Sequence, residues 1–153
     1  MVRLSKQLKI IDVDDKLPLL INFCRKTEDI LACFIYGSYG TEYQTPLSDL
    51  DIALLLRPGV NWDFKQKLNW ICDISNILKE DDTNVVILNE VHLELQYEIL
   101  ASGKILYVRD KVLLADFQEY VVKYFLDYAI DLDMIYMDYE IALRKEYSND
   151  FKE

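Results

Sequence analysis

The sequence predicts an α/β (α+β) protein, a small mixed β-sheet flanked by helices and followed by a long helical C-terminal region. Three observations carry this. Short apolar runs of strand length alternate with segments of helical period, which is the pattern of a sheet covered by helices. The chain has 153 residues, 52% of them hydrophobic and 29% charged, enough for a full core and too apolar for a disordered chain. A folded chain of this size buries roughly 70% of the surface its unfolded form exposes, so no staples are needed. No Pro/Gly-rich linker or internal repeat interrupts it, which predicts one domain over 1–153, with a core at about 28–108 and helix over about 112–147.

In chain order, residues 17–26 read as a short helix, with Pro18 tolerated in its first turn and Asp14 and Asp15 ahead of it. The continuous apolar run from Ile30 to Tyr36 predicts a strand buried on both faces. It stops at Gly37-Ser38-Tyr39-Gly40, where a turn leading into the first turn of a helix is expected. Asp49 to Leu56 is a second strand, closed by the turn Arg57-Pro58-Gly59. Trp62, Leu68, Ile71, Ile74, Ile77 and Leu78 mark a helix over 61–79, and Asn84 to Leu88 a third strand. A helix over 91–101 ends at Gly103, and a short strand runs from Lys104 to Val108. From Val112 to Tyr147 neither Gly nor Pro intervenes, and apolar residues recur at helical period. Seven of the 11 tyrosines lie at or beyond Tyr107. Core packing is the common reason for such an aromatic face, and a protein interface the sharper one.

Charge excludes some functions. Seventeen Lys and Arg against 27 Asp and Glu leave a net charge of −10, which repels polyanions and argues against nucleic acid as a direct partner. No apolar run reaches membrane-span length, and the opening MVRLSKQLKIIDVDDK has no secretory apolar core. Cys24, Cys33 and Cys72 are scattered and odd in number, as expected of buried thiols in a reducing cytoplasm rather than a disulfide or zinc set. The single histidine, His92, has no second ligand at zinc spacing and reads as a helix-surface or partly buried residue.

The chemistry concentrates in YGSYGTEYQTPLSDLDIALLL, residues 36–56, which holds two of the four glycines. A strand entering Gly37-Ser38 offers backbone N–H groups and a hydroxyl to an anion, and glycine allows close approach. Ten residues separate Ser38 from Asp49-Leu50-Asp51. Alternate strand residues face one side, so Asp49 and Asp51 project together and call for a neutralising cation, for which Mg²⁺ suits hard oxygen ligands. Gly-Ser alone is a turn, and Asp-x-Asp alone a solvated strand end; their combination in this context is the specific signal. Tyr39 and Tyr43 flank it, with adenine stacking and packing both open. Lys104 reads as a surface charge, and Glu94 and Glu98 as an i,i+4 acidic pair.

Gly37-Ser38, ten residues, then Asp49-Leu50-Asp51 resembles the GSx10DxD motif of the DNA polymerase β-like nucleotidyltransferase superfamily. VVILNE and ILASGKILY resemble its minimal nucleotidyltransferase (MNT) branch, and FLDYAIDLDMIYMDYE is similar to the tail of the MntA-type antitoxins of HEPN/MNT toxin–antitoxin pairs. The resemblance spans about residues 28–143. It implies a Mg²⁺-dependent enzyme that transfers AMP from ATP to a tyrosine of a HEPN ribonuclease toxin, silencing it. It implies that Gly37 and Ser38 hold the β/γ-phosphates and that Asp49 and Asp51 bind metal, with Ser38, Asp49 and Asp51 as the catalytic set. The family's third carboxylate, four residues before a Leu-Asn pair, falls on Asn84. Three outcomes stay open: Asp82 substitutes, two carboxylates suffice, or catalysis is weakened and the protein neutralises its partner by binding through its tyrosine-rich C-terminal face. The oligomeric state is open between a homo-oligomer and a hetero-oligomer with the toxin.

Overall fold

The computed structural model describes residues 9–150, with side chains to residue 148; the first eight residues of the opening segment lie outside the described residues. Four helices and four strands follow in the order α1 (Leu17–Lys26), β1 (Ile30–Tyr36), β2 (Leu50–Leu56), α2 (Phe64–Leu78), β3 (Thr83–Ile87), α3 (Leu93–Ser102), β4 (Lys104–Val108) and α4 (Lys111–Asp150). The sheet runs β3-β2-β1-β4. β1 pairs antiparallel with both β2 and β4, whereas β2 and β3 are parallel, as the α2 crossover between them requires.

β1 and β2 are the central strands, and their apolar runs are buried on both faces. On one face Cys33, Ile35, Ile52 and Leu54 meet Leu20 and Cys24 of α1 and Trp70, Ile74 and Leu78 of α2. On the other, Phe34, Ala53 and Leu55 meet Ile99 of α3 and Leu114 of α4. Local chemistry fixes the ends. Asp63 caps α2 by accepting from Gln66 N–H at 2.8 Å, and His92 caps α3 through Nδ1 accepting from Leu95 N–H at 3.1 Å. The histidine is thus a helix cap. Gly59, at φ +81°, makes the turn after β2.

Three expectations change. No helix follows Gly37-Ser38: residues 37–48 are turns and irregular backbone. Gly37 and Gly40, at φ +74° and +72°, both sit in the left-handed region, which breaks helical continuation. Cys24 and Cys33 are buried but Cys72 is exposed, on the outer side of α2. The aromatic face of α4 is not core: Tyr120, Tyr124, Tyr128, Tyr136, Tyr139 and Tyr147 are all exposed. Only the first part of α4 reaches the core, through Leu114, Phe117 and Val121. Among the described residues no helix is long and apolar enough to cross a membrane.

Candidate active site

The site grows from strand register. Tyr36 on β1 stands opposite Asp51 on β2, and Asp51 in turn is beside Asn84 on β3. These three side chains therefore form one row across three strands, on the sheet face that carries α3 and α4. Asp51 is half-buried at the centre of the row, and Asp49, just before the strand, is exposed.

Asp51 carries the electrostatic strain of the site. Burial raises its pKa above the usual carboxylate range and the charge of Asp49 raises it further, while a hydrogen bond from Asn84 opposes both. That bond runs from Asn84 Nδ2 to Asp51 Oδ1 at 3.1 Å. The tyrosine beside Asp51 responds to the same field: burial first, then the charges of Asp51 and Glu98, push Tyr36 up to about 12. Sequence reasoning did not single out Tyr36, although it directly precedes Gly37; its role follows from the register.

Gly37 is fixed here on two counts. Its φ of +74° disfavours any L side chain, and a Cβ would collide with Asp51 Oδ2. The Gly37-Ser38 turn thus presses backbone against the carboxylate with no side chain between. Ser38 O accepts from both Thr41 N–H at 3.0 Å and Thr41 Oγ1 at 2.6 Å. Farther along, Gln44 bridges the loop to the segment before α1, accepting from Gly40 N–H at 2.9 Å and donating to Ile11 O at 2.8 Å. Tyr39 serves the same anchorage: its hydroxyl accepts from Val13 N–H at 2.9 Å and donates to Asp14 at 2.7 Å. Its ring packs on the opposite face of the sheet from Asp51, which settles the packing reading for Tyr39. Tyr43 projects from the loop, 76% exposed.

Asn84 falls where the sequence count placed it, next to Asp51, but as a hydrogen-bond donor to that carboxylate. The Asp82 carbonyl accepts from Leu50 N–H at 2.9 Å, tying the start of β3 to the start of β2. Among the described residues no group of three or more His, Cys, Asp or Glu is disposed to hold a metal.

A family model for polymerase β nucleotidyltransferases matches residues 19–112, more than half of the chain. The chain belongs to the polymerase β nucleotidyltransferase family. The matched span of this nucleotidyltransferase runs from α1 into the start of α4 and contains the whole row Tyr36–Asp51–Asn84. Its fold is similar to that of solved toxin–antitoxin structures. One is a toxin–antitoxin crystal structure with AMP-PNP (TM-score 0.63, 19% identity, covering 81% of this chain and 95% of that one). A second is the tri-AMPylated Shewanella oneidensis HEPN toxin in complex with MNT antitoxin (TM-score 0.64, 18% identity, 83% and 98%). A third is the toxin–antitoxin MntA–HepT (TM-score 0.60, 17% identity, 80% and 95%). At these identities the likeness is one of fold. A search of curated proteins finds no match.

Two carboxylates with a side-chain-free turn against one of them suit a hard cation that keeps several water ligands. The residues present are compatible with a magnesium ion, which Asp49 and Asp51 would hold. Desolvation of Asp51 and repulsion from Asp49 are costs that a bound cation would remove.

Proposed function

We propose that this chain is a Mg²⁺-dependent protein adenylyltransferase and the antitoxin of a cytoplasmic HEPN toxin, transferring AMP from ATP to a toxin tyrosine. The observation that carries the reading is Asp51 held against the Gly37 turn, with Asp49 two residues before it, on a nucleotidyltransferase fold. The fold likeness, covering 98% of an MNT antitoxin seen with a tri-AMPylated HEPN toxin, supports the choice of partner. The chain acts as a single minimal domain, with its core at about 28–108 and the helical region at about 112–147.

Each residue's part follows from its place. Asp49 and Asp51 would hold the cation, which when bound would supply the positive charge that a triphosphate needs in order to approach an acidic protein. Gly37 leaves room for the β/γ-phosphates at the backbone, and Ser38 offers its hydroxyl and N–H to them. Asn84 holds the Asp51 carboxylate in one orientation through its amide, leaving the other oxygen, Oδ2, on the Gly37 side. The toxin tyrosine oxygen bonds to the α-phosphorus as the bond to the bridging oxygen breaks and pyrophosphate leaves. The Asn84 carboxamide is no base and cannot take the phenolic proton, which passes to solvent. Asp49→Ala and Ser38→Ala should each abolish AMP transfer with the fold intact. Wild-type transfer by both variants would refute the assignment.

A second reading, neutralisation by binding alone, has its own support. Between Tyr124 and Leu143 helix α4 carries five acidic residues and no basic one, while Met134, Ile135, Tyr136, Met137 and Tyr139 are 60–63% exposed. An acidic, exposed apolar helix segment suits a basic partner surface. Cutting after Leu132 retains the core residues Leu114 and Val121, which a cut at Val112 would remove. If binding alone neutralises, the Leu132 truncation loses toxin suppression and Asp49→Ala keeps it.

A further inference from the structure

Beside the row Tyr36–Asp51–Asn84 lies a second feature that the transferase reading leaves unused. A cleft of about 410 Å³ opens between α3 and α4, lined by Glu94, Tyr97, Glu98, Ala101, Phe125 and Ala129 among others. Its size is in the range of small-ligand sites. Tyr97 and Phe125 stack with centroids 3.9 Å apart and planes 9° apart, forming one rigid aromatic wall that joins the two helices. Glu94 of α3 and Tyr128 of α4 line the same gap from opposite sides. The two glutamates are the charged groups of the lining, the hydroxyls of Tyr97, Ser102 and Tyr128 its other polar groups, and no basic residue is part of it.

The α3 end of the cleft adjoins the candidate site through Gly103 and Tyr36. Ser102, at its α3 end, is followed by Gly103, where a Cβ would stand 3.5 Å from Tyr36 Cβ. Tyr36 is the register partner of Asp51. Tyr36 thus neighbours Asp51 along the sheet and Gly103 at the end of α3. A ligand in the cleft is therefore next to the transfer site without occupying it.

Charge decides what enters. Glu94 and Glu98 repel the phosphates of a nucleotide and attract cations, while the walls accept a flat apolar ring. We propose that the α3–α4 cleft is the acceptor subsite, taking a tyrosine side chain from a basic segment of the protein substrate. The ring lies against Ala101, Ala129 and Phe125, and the flanking lysines or arginines face Glu94 and Glu98. This rests on the transferase reading above and adds the determinant of which tyrosine is modified.

The direct test titrates the amidated tripeptide Lys-Tyr-Lys into the full chain, followed by backbone amide NMR. Saturable shifts are expected at Ala101, Ala129 and Leu132, with Lys-Ala-Lys giving none and Ala101→Trp weakening binding about tenfold or more by filling the cleft. Ala129→Trp fills the opposite wall and serves if the first variant misfolds. Equal shifts from Lys-Ala-Lys, shifts elsewhere, or displacement of the tripeptide by adenosine would overturn the proposal. With the toxin as substrate, Glu98→Gln should raise KM about three- to tenfold at nearly constant kcat, the signature of lost acceptor binding. Transfer by Ala101→Trp with wild-type KM would overturn the subsite alone. Tripeptide binding in the cleft with no transfer by the wild-type chain would instead overturn the transferase reading.

Discussion

Replacing Asn84 by aspartate probes the row across the sheet most sharply, because it converts the donor beside Asp51 into a third negative charge. Asn84 Nδ2 lies 3.1 Å from Asp51 Oδ1. In Asn84→Asp the charge-assisted hydrogen bond is lost, at about 1.5 kcal/mol. Two unit charges about 3 Å apart would repel by roughly 1 kcal/mol in bulk water and several times that at lower dielectric. Because Asn84 is exposed, screening keeps the total near the lower end, about 2–4 kcal/mol without metal. For a chain of this length that lowers Tm by roughly 5–15 °C. The assay is thermal unfolding at pH 7.5, with EDTA and with Mg²⁺. Asn84→Asp should melt well below wild type in EDTA and show the larger rise on adding Mg²⁺, since a third carboxylate gives the cation another ligand. Equal melting of the two proteins in EDTA would refute the placement of Asn84 as the donor that holds Asp51.

Further predictions follow from the same geometry. Gly37→Ala must adopt a left-handed φ at about 1–2 kcal/mol and push Asp51 aside, so both Tm and Mg²⁺-induced stabilisation should fall; an unchanged Mg²⁺ response would contradict the close approach. Asp51 titrates higher in the folded chain than unfolded, chiefly through burial. Its contribution to metal-free stability is therefore complete below the unfolded carboxylate range and is lost as pH rises through the folded pKa. Asp51→Asn should accordingly gain stability relative to wild type between pH 4 and pH 7 in EDTA, as read by urea unfolding, and a constant difference would count against it. Arg109 donates through Nη2 to the carbonyls of Cys24, Arg25 and Thr27 and through Nε to that of Ile30, at 2.9–3.1 Å, closing the C-terminus of α1. Arg109→Ala should cost about 2–4 kcal/mol in urea unfolding, given several charge-assisted bonds to half-buried carbonyls.

The strands were legible because their chemistry is local. The run from Ile30 to Tyr36 has no polar break, and the structure buries it on both faces. The count back from Leu88-Asn89 lands on Asn84, which the structure sets beside Asp51. What sequence could not supply was register. Only the pairing of β1 with β2 brings Tyr36 opposite Asp51, and only the parallel β2–β3 pair brings Asn84 beside it. The expected helix after Ser38 failed because Gly37 and Gly40 both take positive φ, which glycine permits without demanding. For α4 the periodicity was right and the burial wrong. Apolar residues around 124–143 occupy too many faces of the helix to point to one, and the fold covers only the part near Leu114 and Val121.

Intact mass spectrometry of the HEPN partner, after mixing with this protein, ATP and Mg²⁺, tests the central claim most directly. One or more added AMP units, absent in EDTA and with Asp49→Ala, is the predicted result, and it would show that transfer proceeds with Asn84 beside Asp51. An unchanged toxin mass, in a stable complex with suppressed toxicity, would contradict the transferase and leave the acidic aromatic segment of α4 as the means of neutralisation.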